Sequence, residues 1–257
     1  MSLLQANLHK ARLRLLRSGF PDRPAFGTAV SEAVLRRVAA GELEPTLRLH
    51  RPGRELAFSK QDRAAAGFER AVAAARDVGF APVVRLAGGR AAAFHEGSLA
   101  IAWATAAARP VTSTRERFDW LATLVARALA GLGVDARVGE VEGEYCPGAW
   151  SVNARDRVKL AGIGQRLIAG GAHAGGVVVV SDSKLLRIAL EPVYAALELE
   201  WDPATAGAVE DEVPGTGIDQ VAEAFIAELA EEFELVEDEL DPETLALAEG
   251  LEGGHLA

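Results

Sequence analysis

The chain has 257 residues, of which 49% are hydrophobic and 25% charged, a balance typical of folded globular proteins and too apolar for a disordered chain. Residues 1–187 contain all 27 Lys and Arg residues and 17 of the 37 Asp and Glu residues, so they carry +10, whereas the last 70 residues carry −20. This acidic balance disfavours nucleic-acid binding, which needs clustered cations, and no apolar run approaches the roughly 20 residues of a membrane span.

The amino-terminal 40 residues predict helices, with Val34, Leu35 and Val38 on one face of a segment that ends at Gly41. The first 17 residues mix leucines with basic residues and lack the apolar segment and cleavage pattern of a signal peptide. We therefore expect a soluble, cytoplasmic protein.

Short strands and one helix are predicted after Gly41. Ser59 and Asp62 form an S-x-x-D start for an alanine-rich helix over 62–78. A glycine-rich loop, 87–90, then separates two extended segments. The strands predicted in this part of the chain are 46–50, 55–58, 82–86, 91–95 and 99–103.

Helices and strands also alternate in the rest of the chain. A helix over 114–131 has an apolar stripe, and another begins at Asp182 or Ser183 and continues past Pro192. The acidic end from Glu234 predicts a final helix or a frayed tail. Further strands are predicted at 137–141, 149–154, 158–168 and 175–181, and a further helix at 217–234.

Neither an internal repeat nor a Gly/Ser linker divides the sequence. The order of elements predicts an α+β fold, in which a mixed β-sheet is flanked by helices over residues 1–200. An acidic helical carboxy-terminal extension over 201–257 follows it.

Three groups of residues could carry chemistry. In the first, a predicted strand reaches Arg85, turns at Gly88 and Gly89, and returns as a second strand towards His95. Adjacent glycines let a ligand approach the main chain and leave amide N–H groups free to face an anion or a carbonyl. A tight hairpin and a hydrogen-bonded structural histidine are the alternatives. No second histidine or carboxylate has a metal-ligand spacing from His95, so we predict no metal site.

The second group is built around the single cysteine, Cys146, which excludes an internal disulfide and a cysteine-based zinc site. Cys146 follows Tyr145 and precedes a Pro-Gly pair, in a turn that places its side chain at the end of an element. A buried structural cysteine is the alternative. A nucleophilic thiol would need a nearby cation that favours the thiolate.

Lys159, in the third group, could supply that cation. It lies in a mostly apolar predicted strand that continues to Gly162 and Gln165, in a chain with only four lysines against 23 arginines. An ammonium group, unlike a guanidinium group, can give up its proton, so a lysine at this position suggests chemistry. A lysine whose stem covers apolar surface while its charge reaches water is the alternative.

Three motifs, taken in chain order, resemble those of the biotin/lipoate ligase catalytic-domain superfamily: Arg85-x-x-Gly88-Gly89-x5-His95, Tyr145-Cys146-Pro147-Gly148, and Lys159-x-Ala161-Gly162-Ile163-x-Gln165-Arg166. Within that superfamily the chain is most similar to lipoate-protein ligase A-like proteins and to cysteine-dependent octanoyltransferases. The resemblance covers a core of about residues 45–200.

The resemblance implies a mixed sheet that holds an acyl-binding tunnel. Cys146 would take an octanoyl or lipoyl group as a thioester and pass it to a lysine of a lipoyl carrier domain, without a cofactor. Lys159 would favour the thiolate and later accept a proton from the attacking amine. The residues implied to bind substrate are Arg85, Gly88, Gly89, His95, Gly162 and Gln165.

The partners that the resemblance implies are an acyl carrier protein or a lipoyl carrier domain, such as the glycine cleavage H protein or the acyltransferase subunit of a 2-oxoacid dehydrogenase. Lipoyl carrier domains of these families tend to be acidic. We therefore expect the carrier to dock on the basic part of the chain, away from the acidic end. No nucleic-acid or membrane partner is expected.

Two other functions stay open. An ATP-dependent lipoate-protein ligase would use ATP and Mg²⁺ to form an acyl-adenylate at Lys159, and Cys146 would be dispensable. A catalytically silent relative would bind an acyl group or a carrier without reaction. The Cys-Pro-Gly setting of Cys146 favours the transferase.

Overall fold

The computed structural model describes residues 10–257, and the part of the predicted amino-terminal helices that falls on residues 1–9 lies outside this range. The strands are β1 (Ala11–Leu16), β2 (Thr46–His50), β3 (Glu55–Phe58), β4 (Ala81–Val84), β5 (Ala92–Phe94), β6 (Ser98–Ala106), β7 (Ala136–Val138), β8 (Val152–Ala154), β9 (Val158–Ile168), β10 (Gly171–Val179) and β11 (Phe233–Asp238). The helices are α1 (Pro24–Ala39), α2 (Lys60–Arg63), α3 (Phe68–Asp77), α4 (Thr114–Gly131), α5 (Ser183–Ala196), α6 (Val209–Glu212), α7 (Ile218–Glu232) and α8 (Pro242–Leu251).

Eight strands form a large sheet in the order β11-β1-β2-β6-β10-β9-β8-β7. β1 is parallel to β11 and β2, and the remaining neighbours are antiparallel, which confirms the predicted mixed sheet flanked by helices. Side chains alternate between the two faces of a strand, so Leu47, Leu49 and Ile101 are buried on one face, where α4 and α7 pack. Helices α1 and α8 pack together elsewhere, around a separate apolar cluster that includes Phe26 and Val30.

The small sheet has the order β4-β3-β5, with β4 parallel and β5 antiparallel to β3. The glycine loop between β4 and β5 is therefore not a tight hairpin, because both strands pair with β3 and not with each other. Phe58 and Leu56 of this sheet lie in one apolar cluster with residues of α3 and α5. The loop crosses the end of β3 and remains available for a ligand.

Ser59 forms the predicted helix start. Its hydroxyl oxygen accepts a hydrogen bond from the Asp62 N–H at 3.1 Å, and the Asp62 carboxylate accepts one from the Ser59 N–H at 2.9 Å. This capping box begins only the short helix α2, and a turn separates α2 from α3. The single helix predicted over 62–78 is therefore two helices.

Both ends of the described chain differ from the predicted helices. Residues 11–16 form β1, in which Leu13 and Leu15 are buried in the core. The acidic end is neither one helix nor a frayed tail, because β11 pairs with β1 and α8 follows. Backbone pairing and the Arg14–Asp238 ion pair, with Nε 2.8 Å from Oδ2, hold this charged strand at the sheet edge.

The acidic end also folds onto the basic part of the chain. Mostly exposed ion pairs connect the two, and each pair contributes little to stability, roughly 0–1 kcal/mol. They neutralise part of the +10 charge that the sequence places in residues 1–187. Representative pairs are Arg17–Glu237, Arg23–Glu249 and Arg37–Glu243.

Membrane-spanning helices were also sought in this fold. Within residues 10–257, no helix is both long and apolar enough to cross a bilayer.

Candidate active site

A cavity of about 480 Å³ lies between the two sheets. Ala102 and Gly175 line it from the large sheet, and Ala57 and Phe94 line it from the small sheet. Its wall is mainly apolar, as an acyl chain requires. Seven of the eight site residues predicted from the sequence line this cavity: Arg85, Gly88, Gly89, Cys146, Lys159, Gly162 and Gln165.

Cys146 has an unusual backbone conformation beside the cavity. Its φ is 44°, in the left-handed region that costs a non-glycine residue roughly 1–2 kcal/mol. The Cys146 N–H donates to the Tyr194 hydroxyl oxygen at 2.7 Å, and that hydroxyl donates to the Ala91 carbonyl at 2.9 Å. These two bonds fix the cysteine loop against α5 and the start of β5.

Two donors face the thiol. The Arg90 N–H lies 3.2 Å from the Cys146 sulfur, and Arg85 Nη2 lies 3.5 Å from it. Burial opposes ionisation, but the charges of Arg85 and Lys159 and the Arg90 N–H outweigh it, so the pKa of the Cys146 thiol is below its ordinary value. A lowered thiol pKa gives more of the nucleophilic thiolate near neutral pH.

Gly89 lets the glycine loop approach the thiol. Its φ is 105°, and a Cβ atom there would collide with Arg85 Nη2 and lie 2.9 Å from the Cys146 sulfur. Gly88 differs, because a Cβ atom on it would meet no heavy atom within 4 Å. Only the second glycine of the pair is therefore required by this packing.

Lys159 is a buried anchor of the cysteine loop. Its ammonium group donates to Glu144 Oε1 at 3.0 Å, to the Tyr145 carbonyl at 3.0 Å and to the Cys146 carbonyl at 2.7 Å. The Glu144 carboxylate also accepts hydrogen bonds from the backbone N–H groups of Val141 and Gly148, both at 3.1 Å. The Lys159–Glu144 pair thus clamps both ends of the loop that carries the cysteine.

Gln165 connects β9 to the start of α4. Its Nε2 donates to the Thr114 carbonyl at 2.8 Å, and its Oε1 accepts from Arg117 Nε at 2.9 Å. Gly162 lies beside Lys159, because a Cβ atom on Gly162 would be 3.3 Å from Lys159 Cε. These two predicted residues border the cavity mainly through packing.

His95 is the predicted site residue that the structure places elsewhere. It is completely buried, its Nδ1 accepts a hydrogen bond from the Gly97 N–H at 3.0 Å, and it does not line the cavity formed by residues 10–257. The expectation that His95 shapes the acyl site is corrected here. The position agrees with the alternative of a hydrogen-bonded structural histidine.

The sequence analysis missed four polar residues that line the same cavity: Arg48, His50, Glu55 and His173. It also missed Glu144, the partner of Lys159. Arg48 and His50 are two positions apart within a short strand, so they share one face. That alternation was the available signal, whereas nothing local in the sequence connects them to His173.

Comparison with known proteins identifies the family. The model of the lipoyl protein ligase A/B catalytic domain matches residues 23–230 of the chain. The chain belongs to this family. The match includes the cysteine loop and the glycine loop, and it extends past the predicted boundary at residue 200.

The curated relatives of this lipoyl ligase-family chain include two bacterial proteins named octanoyl-[GcvH]:protein N-octanoyltransferase. The protein from Anoxybacillus flavithermus is 29% identical over 155 residues, covering 60% of this chain and 55% of its own length. The protein from Geobacillus kaustophilus is 26% identical over 162 residues, covering 63% and 57%. The chain therefore matches a little over half the length of these relatives.

Solved structures share the fold of this family member. A lipoate-protein ligase A bound with ATP superposes with a TM-score of 0.78 at 23% identity, covering 94% of both chains. A bipartite lipoate protein ligase from Thermoplasma acidophilum, described with its E2 lipoyl domain, gives a TM-score of 0.72 at 21% identity, covering 95% of this chain and 92% of that one. Similarity at this level of identity establishes the architecture.

Proposed function

We propose that this protein is an acyltransferase that moves an octanoyl or lipoyl group through a Cys146 thioester to a lysine of a lipoyl carrier domain. The observation that carries the proposal is the thiol beside an apolar cavity, with the Arg90 N–H and the Arg85 guanidinium directed at its sulfur. The names of the curated relatives support the octanoyl group and the carrier.

In the first step, the Cys146 thiolate attacks the carbonyl carbon of the acyl group on its donor carrier. A sulfur–carbon bond forms, the bond from the carbonyl carbon to the donor's heteroatom breaks, and that heteroatom takes a proton. The Arg85 guanidinium and the Arg90 N–H are placed to stabilise negative charge that develops at this position. The apolar cavity wall covers the chain of the acyl group and excludes water.

In the second step, the neutral amine of the acceptor lysine attacks the thioester carbonyl. A carbon–nitrogen bond forms, the carbon–sulfur bond breaks, and the proton lost from nitrogen balances the departing Cys146 thiolate. The contacts of Lys159 support a role as charge partner and loop anchor, because its ammonium group donates to three oxygen atoms. They give no support to the predicted role as proton acceptor, since a protonated amine has no free lone pair.

The alternative ligase reaction needs residues that could hold ATP. Near the thiol, Arg85 donates to the Arg90 carbonyl at 2.6 Å and faces the sulfur, while Lys159 is fully engaged by the cysteine loop. Neither cation is free for a triphosphate in this arrangement, so the donor set does not fit ATP as it stands. The transferase reading therefore carries the proposal, with no cofactor.

The proposed partners are an octanoylated carrier, such as the glycine cleavage H protein or an acyl carrier protein, and an acceptor such as the lipoyl domain of a 2-oxoacid dehydrogenase acyltransferase subunit. Docking on the basic part of the chain stays a prediction. Cytoplasmic location also stays a prediction from the sequence.

Intact mass spectrometry tests the proposal. The purified protein is incubated with an octanoylated carrier in the absence of ATP, before and after treatment with hydroxylamine. We expect one octanoyl adduct that hydroxylamine removes, together with its absence from Cys146→Ala. Full transfer by that variant would overturn the mechanism. Acylation of a carrier only with free acid, ATP and Mg²⁺ would establish the ligase, and no product under either condition would indicate a binding protein.

A further inference from the structure

The end of the cavity that lies away from the thiol is polar. β5 runs from Ala92, next to the residue bound through Tyr194 to the cysteine loop, to Phe94, which pairs with Glu55 of β3. Two strand residues correspond to about 7 Å. Across the cavity, Arg48 and His50 of β2 and His173 of β10 project from the large sheet.

Small residues provide the space in front of these side chains. Arg48 is opposite Ala102 of β6, and Ala102 is opposite Gly175 of β10. A Cβ atom on Gly175 would lie 2.8 Å from His173 Nε2, so the glycine makes room for the imidazole. The polar side chains therefore border open volume.

Arg48 has hydrogen-bonding capacity that the protein leaves unused. It is 3% exposed, and its Nη2 donates to the Gly27 carbonyl at 2.8 Å and lies 3.2 Å from His50 Nε2. Its Nε and Nη1 atoms have no hydrogen-bond partner among residues 10–257. An unpaired buried cation is strongly unfavourable, and native proteins pair it or supply a ligand.

The neighbouring titratable groups do not neutralise this cation. Burial raises the pKa of Glu55 to about 8, against the opposing charge of Arg48, so its carboxyl group is largely protonated at neutral pH. Burial and the Arg48 charge lower the pKa of His173 to about 4 and hold that of His50 well below its ordinary value. Burial lowers the pKa of Arg48 itself only to about 10. The four groups together carry about one positive charge.

We propose that this end of the cavity binds a carboxylate at the far end of an acyl chain whose carbonyl end lies at Cys146. The substrate class is a medium-length dicarboxylic acid attached through one of its two carboxyl groups. The carboxylate would accept hydrogen bonds from the unused Arg48 donors and from the Glu55 hydroxyl. The proposal rests on the proposed function only for the placement of the carbonyl end.

A chain that ends in a methyl group makes a poorer match to this end of the cavity. Its terminal carbon would face the guanidinium group without pairing it, and the desolvation of Arg48 would remain uncompensated. The middle of the same cavity, with Ala57, Ala100 and Ala102, suits methylene groups of either chain. Discrimination should therefore arise at the far end alone.

Two esters of the same length test the inference. Monomethyl octanedioate and methyl octanoate share an ester that replaces the thioester end, and they differ only in a terminal carboxylate or methyl group. Isothermal titration calorimetry measures the binding of each to the wild-type protein, to Arg48→Met and to Arg48→Lys. We expect the wild-type protein to bind the half-ester at least about ten-fold more tightly, the scale of a hydrogen bond to a charged group.

The variants should change this ratio in a defined way. In Arg48→Met, the affinity ratio of the two esters should fall to about one, and in Arg48→Lys, part of the preference should return because the positive charge is kept. The melting temperature of each variant shows whether it is folded. Equal binding of the two esters by the wild-type protein, which needs no variant, would overturn the inference, as would a preference that survives in Arg48→Met.

This test is separate from that of the proposed function, because reversible ester binding needs no thiol chemistry. A preference for the half-ester in a protein whose Cys146 is never acylated would refute the transferase and retain the carboxylate site. Acylation of Cys146 without any preference would do the reverse.

Discussion

Replacing Gly89 by alanine should disable the thiol while leaving the rest of the fold in place. Its φ of 105° is unfavourable for alanine, and the new Cβ atom would force the Arg85 guanidinium away from the Cys146 sulfur. Backbone strain of this kind costs on the order of 1–3 kcal/mol of stability. Displacement of a catalytic group by about 1 Å lowers activity by about 10²-fold, so we expect transfer to fall by at least ten-fold.

The adjacent glycine supplies the matched control. Gly88→Ala adds the same methyl group where no heavy atom lies within 4 Å, and it should retain acylation of Cys146 and a melting temperature close to that of the wild type. Initial rates of adduct formation by intact mass, together with thermal unfolding of both variants, make the comparison. Equal rates for Gly89→Ala and Gly88→Ala would refute the assigned role of the second glycine.

Three further predictions follow from the contacts of the site. Arg85→Met removes the cation nearest the sulfur, so the pKa of Cys146 should rise and the pH–rate profile for iodoacetamide alkylation should shift to higher pH; an unchanged midpoint would contradict this assignment. Lys159→Met leaves the Glu144 carboxylate buried and unpaired, so urea unfolding should show a loss of about 3–5 kcal/mol, which Glu144→Gln in the same chain should largely recover; no loss would show that the clamp is unnecessary. Because burial raises the pKa of Glu55 to about 8, its stabilising protonated form is lost as the pH rises through that value, and Glu55→Gln should gain stability relative to the wild type between about pH 5 and pH 9; parallel melting-temperature profiles would argue against it.

Elements with strong local patterns could be predicted from the sequence. The Pro-Gly pair after residues 46–50 and the apolar stripe of 114–131 gave strands and a helix that match β2, β3 and α4. β1 and β11 could not be predicted in this way, because each has a stable strand conformation only when paired with the other. The glutamates of β11 favour a helix locally, and tertiary pairing overrides that preference.

The candidate site shows the same division. Cys146 in a Pro-Gly turn and Lys159 in an apolar strand are visible as local anomalies, and both line the cavity. His95 follows the glycine loop in sequence, but the chain carries it out of the cavity at the end of β5. The charge contact between Arg85 and the thiol joins residues 61 positions apart, so it depends on the fold.

The pairing of β1 with β11 also has a consequence for synthesis. Ala11 pairs with Phe233, so the outer edge of β1 has no strand partner until nearly the whole chain has left the ribosome. An unpaired strand edge is a template for association between chains. Arg12, Arg14 and Arg17 border this edge, and their mutual repulsion between two nascent chains would discourage such association until the acidic strand arrives.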